Sequence, residues 1–219
     1  MWESVTKDSL EYRLVSDILN TMEKYDDVIQ NDSKCLYLRM QLFWLLNNGE
    51  PLNFKNEKQC TRLSNDNWKI IEDFCDKIIN ASLMDDHMFV YHCQYIKSIA
   101  MLQLENYSAA RKQLAEIKDK LNYMKVYTKH LICNEDGSPK EFSGKIISLS
   151  DDGKSGGKLD LYTPKGICIK NVYFNRFNMA ANTAKVLEPR ASIDKLMMGV
   201  GFMGINALRW QDEKECKNG

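Results

Sequence analysis

The apolar residues of this 219-residue chain change their period near residue 125. Up to that point they recur at gaps of three and four, the spacing of a helix face. Beyond it they fall in short runs broken by Gly, Pro, Asp and Asn, the punctuation of strands and turns. Leu10, Leu14, Ile18, Met22, Tyr25 and Ile29 predict one stripe along a helix from Asp8 to Ile29. Asn31, Asp32 and Ser33 supply a break and a cap for a second helix from about Lys34 to Leu46, which Asn47–Pro51 ends. The polar stretch to Ser64 reads as a loop or a short turn of helix. A third helix opens at Asn65 with Trp68, Ile71, Phe74, Cys75, Ile78 and Ile79 on its apolar side. A fourth runs from His87 to Leu104, and the short turn at Glu105–Asn106 folds a fifth, Tyr107 to Tyr123, back against it.

After Lys125 the turn signals Glu135–Pro139, Asp151–Gly153, Gly156–Gly157 and Pro164–Gly166 separate five β-rich runs. These are Phe142–Leu149, Leu159–Tyr162, Ile167–Phe177, Lys195–Val200 and Ile205–Trp210. Five short strands in so little chain predict a small antiparallel barrel. The fold class is therefore α+β in two domains. Helical hairpins occupy 1–127, a linker 128–140, the β domain 141–210 and a polar tail 211–219.

Composition narrows the functional classes. With 44% apolar and 27% charged residues, the chain is ordinary globular protein rather than disordered polymer. No apolar run approaches the roughly 20 residues that cross a bilayer, and no leader pattern opens the chain, so no membrane role is expected. Seven cysteines, an odd number without C-x-x-C pairs, suit a reducing, cytoplasmic compartment. The net charge of zero divides into a mildly acidic first part and a mildly basic 141–210, an electrostatic signal too weak to specify nucleic acid by itself.

The run from Ala100 to Ile117 resembles a tetratricopeptide repeat. Tyr107 follows the turn, Ala110 holds the small position where two helices approach, and Leu114 and Ile117 sit on the packing face. It departs from that family in a longer first helix and in lacking a closing proline. The resemblance implies a surface for a protein partner, although Tyr91, Tyr95, Met101 and Leu102 suit a core as well as a groove.

The β part resembles the cold-shock branch of the OB-fold. Phe142–Ile147 matches the first strand, Lys154–Leu159 the second, Val172–Asn175 the third and Leu196–Trp210 the last hairpin. The resemblance implies single-strand binding by base stacking over a basic face. Strand alternation, with Phe174 inside, turns Tyr173 and Asn175 outward, and Lys145, Lys158, Lys170 and Arg176 are candidates for phosphate contact. Gly156 and Lys158 stand where the family carries aromatic residues, and Asn175 where it carries a histidine. Helical repeats followed by such a barrel resemble C-terminal regions of larger bacterial multidomain proteins.

No catalytic constellation accompanies these elements. His87 and His92 are poorly placed to share a face, and His130 and Cys133 form an isolated pair. Asp26–Asp27, Asp85–Asp86 and Asp151–Asp152 adjoin helix ends or turns, where capping explains them. Gly153–Lys154–Ser155 lacks the earlier glycine of a phosphate loop, since position 148 is Ser. A non-enzyme without metal or cofactor is expected: an interaction protein that binds a protein partner through its helices. The alternative is a single-stranded RNA or DNA binder acting through the barrel.

Overall fold

A computed structural model describes Lys7 and residues 9–48, 58–82, 87–123, 129–151, 156–175, 189–201 and 204–209. Its helices are α1 (Leu10–Lys24), α2 (Asp26–Ile29), α3 (Ser33–Asn48), α4 (Asn65–Ala81), α5 (His87–Gln103) and α6 (Tyr107–Tyr123). Its strands are β1 (Lys58–Cys60), β2 (Lys129–Leu131), β3 (Phe142–Leu149), β4 (Gly156–Tyr162), β5 (Cys168–Asn175), β6 (Ser192–Gly201) and β7 (Gly204–Arg209).

Local chemistry sets the helix ends. Ser9 Oγ accepts from Tyr12 N at 3.1 Å and starts α1. Asp32 Oδ1 accepts from the amides of Lys34 and Cys35, both at 2.9 Å, and starts α3. Those amide bonds, the Cys35 one foremost, hold the Asp32 carboxyl below its ordinary range. Ser64 does the same for α4 through Asn67 N. At the α5–α6 turn Glu105 takes φ 65°, and the Asn106 amide reaches back to Met101 O at 2.8 Å, closing the helix end. Ala100, Ala110, Leu114 and Ile117 are all buried where α5 meets α6.

The expected helix from Asp8 to Ile29 is instead two pieces, broken at Tyr25, where φ −111° and ψ 24° leave the helical basin. Its predicted inner stripe is also turned outward: Leu10, Leu14 and Ile18 are 77%, 59% and 39% exposed. Val15 is the buried residue, with Tyr12, Leu19 and Met22 half-buried beside it. Helix α1 thus carries two apolar faces, and it packs on α3 through the one that is less obvious in the sequence.

All seven strands join one sheet in the order β1-β2-β6-β3-β4-β5-β7, and β7 pairs again with β6 to close a five-stranded barrel from β3 to β7. Within the barrel β3 pairs with β4 and β6, and β5 runs parallel to β7, an order compatible with an OB-like barrel. Strand β1 is parallel to β2, and β2 is antiparallel to β6, with His130 opposite Val200. The 128–140 stretch expected as a linker therefore contributes a strand, and 134–139 is a tight turn bridged at Cys133 and Pro139.

One apolar cluster runs from Leu36, Trp44 and Trp68 through Ile96 and Leu114 to Ile146, Leu159, Phe174 and Leu196. Strands β3, β4 and β5 largely alternate buried with exposed residues, whereas β6 is buried at every position from Leu196 to Gly201. A strand buried on both faces has lumen on one side and cover on the other. The cover is helical: Tyr95 Oη on α5 donates to Val200 O at 2.9 Å, and α6 packs on β7. The helices thus lie on the β6–β7 side, and the β3–β4–β5 wall is left to solvent.

Candidate nucleic-acid interface

Alternation brings the outward side chains of β3, β4 and β5 onto one surface, and the strand register orders them into rows. In the first row Lys158 stands opposite Ser148 on one side and Tyr173 on the other. The second contains Lys145 opposite Asp160, with Lys170 and Asn171 bulged against Asp160 from β5. The third is Ser143, Tyr162 and Cys168. Lys145, Lys158 and Lys170 are exposed, and Tyr173 and Asn175 are half-buried. Five of the six residues named from the sequence therefore share one wall; Arg176 lies outside the described residues.

The bulge has a chemical cause. Asn171 adopts φ 54°, a conformation that asparagine tolerates better than most residues. Its amide donates to Asp160 Oδ1 at 2.8 Å. That bond engages the wall's carboxylate internally, while among the described residues no ion pair holds Lys145, Lys158 or Lys170. From α6, Arg111 donates to Asn171 O at 2.9 Å, so a helical cation reaches the β5 edge of the wall.

Close packing explains why Gly156 carries no aromatic side chain and why Gly157 beside it is also glycine, whereas Lys158, which is exposed, has no such constraint. A Cβ on Gly157 would lie 2.1 Å from Ser148 O, and one on Gly156 2.1 Å from Phe174 O. Neither position accepts a side chain without parting β4 from its neighbours. Tyr162, which the sequence reading did not single out, supplies an aromatic ring two rows from Tyr173 instead. At about 3.3 Å per residue along β4 and about 4.8 Å between strands, the two residues stand roughly 14 Å apart. The Cys168 thiol beside Tyr162 hydrogen-bonds its phenol and raises the phenol's pKa. The signal for Tyr162 was its parity with Lys158 and Asp160; the signal for Arg111 was tertiary and absent from the sequence.

Histidine chemistry has a different outcome. His130 is 1% exposed, wedged edge-on against Trp44 and Trp68 with ring centroids 6.0 and 6.2 Å away. Its Nε2 lies 3.0 Å from the buried Thr61 hydroxyl. Burial pushes the imidazole down to about 3. A neutral ring between two indoles, with a hydroxyl for a partner, has the surroundings of a packing residue. No group of three or more His, Cys, Asp or Glu residues suited to a metal ion occurs among the described residues. No described helix is long and apolar enough to cross a membrane.

No protein-family model, curated protein or solved structure matches the chain.

Proposed function

We propose that the β3–β4–β5 wall binds single-stranded nucleic acid, with the barrel acting as a cold-shock-like OB module. The observation that carries this reading is the first row, where Lys158 lies in register between Ser148 and Tyr173 on the side of the barrel away from the helices. A base stacks on Tyr173 and another on Tyr162, each worth about 1–3 kcal/mol. Lys145, Lys158 and Lys170 take the phosphates between them. Two rings are a modest platform, so affinity falls in the micromolar range, and base edges contribute little selectivity.

Fluorescence anisotropy of labelled single-stranded RNA and DNA tests the reading. Three phosphate contacts give a log–log salt slope of about −2 on single strands, so a fourfold rise in salt weakens binding about twentyfold. Tyr173→Ala removes a stacking platform and weakens binding at least fivefold, about 1 kcal/mol. No binding at low salt, or an unchanged Tyr173→Ala affinity, would sink the idea.

A second reading keeps the helices as a protein-binding, tetratricopeptide-like scaffold, and the exposed stripe of α1 favours it. Against a helical groove stands Tyr95, whose ring and hydroxyl are spent on the chain's own barrel.

A further inference from the structure

The outward stripe of α1 is an apolar surface left exposed among the described residues. Leu10, Leu14 and Ile18 are one helical turn apart, and Tyr25, at the helix end, continues the line at 60% exposure. Such a row is on the order of 500 Å², near the upper end of what a monomer surface carries. The polar residues beside it have a pattern. Arg13 and Asp17 lie on the same flank one turn apart, and among the described residues neither enters an ion pair. Farther along, Arg39 of α3 engages Glu23 and Asp26, so those carboxylates are already committed within the chain.

We infer that α1 pairs with α1 of a second copy, antiparallel about a two-fold axis near residues 14–18. In that arrangement the same flank of each helix faces the other. Leu14 then packs against Ile18 of the second copy, and Arg13 meets Asp17 of the second copy, twice by symmetry. Glu11 and Lys24 are also exposed near the two ends of the stripe, but the Arg13–Asp17 order at its centre is complementary to itself only in the antiparallel sense. The charge order therefore selects a second copy of this chain over an unrelated apolar helix. Covering the stripe on both copies removes on the order of 1,000 Å², the lower limit for a specific interface, so the dimer is a weak one.

Sedimentation equilibrium on the full chain reads this directly. The expected result is a reversible monomer–dimer equilibrium with a dissociation constant of about 10–100 µM. Leu14→Glu, at a site exposed enough to leave the fold intact, weakens it more than about tenfold; Leu10→Lys does the same, and circular dichroism checks that both variants remain folded. Arg13→Asp and Asp17→Arg each set like charges opposite one another and weaken association several-fold. The double variant restores it to within about threefold of the wild type. A monomer at every concentration up to about 200 µM overturns the inference, as does a dimer indifferent to Leu14→Glu. Failure of the double exchange to recover association overturns it too. None of these substitutions touches the barrel wall, so the outcome is independent of nucleic-acid binding.

Discussion

His130 shows what burial does to a single titratable residue. Its imidazole has exchanged water for Trp44, Trp68 and the Thr61 hydroxyl, and holds no proton until the pH nears 3, against an ordinary 6.5. Between those values the unfolded chain binds a proton that the folded chain refuses. Stability is therefore whole above 6.5 and lost as pH falls toward 3, at up to about 1.4 kcal/mol per pH unit. Half-buried His92 is shifted the same way by desolvation. Asp32 and Asp136, both held below 3.8, contribute only at the acid end of this window. Urea unfolding at pH 7.5 and pH 5 should differ by about 2 kcal/mol on account of His130. His130→Gln, less stable overall because Thr61 loses its partner, should flatten that difference. An equal pH effect in both proteins would mean that the proton uptake lies elsewhere. The sequence offered His130 only as a lone histidine near a cysteine, because its tryptophan neighbours come from helices far away in the chain.

At the scale of elements, what the sequence made legible was what short-range pattern governs. The five barrel strands lie close to where alternation and turn residues predicted them, Phe142–Leu149 to the residue. But Gly156–Gly157, expected as a turn, instead opens β4, where their missing side chains let the neighbouring strands approach. Strands β1 and β2 were not legible, since three residues carry no period and their pairing is wholly tertiary. Helix α1 was legible as a helix but not in its orientation, because Leu10–Leu14–Ile18 and Tyr12–Val15–Leu19 are both regular apolar rows. The candidate wall was legible for a related reason: parity assigns Lys158 and Tyr173 to one face, but only the docking of α5 and α6 decides which side of the barrel stays open. The pairing of β4 makes its own prediction. Gly157→Ala drives a methyl group into Ser148 O and should cost about 2 kcal/mol, lowering the melting temperature by about 4–8 °C. Gly166→Ala, at φ 81° with nothing within 4 Å, carries backbone strain alone and should cost about 1 kcal/mol. Equal melting temperatures for the two variants would show that β4 can shift to make room.

At the scale of the whole molecule, the helices and the barrel share one apolar cluster, and polar ties reinforce the seam. Glu105, at the α5–α6 turn, pairs with Lys165 at 2.8 Å, and Arg111 caps Asn171 O. Exposed ion pairs contribute little to stability, so the cover over β6 and β7 is the larger effect. Residues 141–210 alone lack β2 and that cover, and would present Val200, Met197 and Leu208 to water. Such a fragment should lack a cooperative thermal transition, while the full chain shows one. A fragment that unfolds cooperatively near the full-chain temperature would make the barrel an independent unit.

The pairing of His130 with Val200 also has a consequence for how the chain is made. Some 70 residues separate the two, so at ribosomal speeds β2 waits on the order of ten seconds for its partner. Through that interval the edge of β2 that faces β6 is unpaired, beside helices whose inner face has nothing to cover. Sheet formation across such separations is slow even once the chain is complete. Nascent molecules of this protein therefore spend their most adhesive moments half-built, and that is when a chaperone has most to offer them.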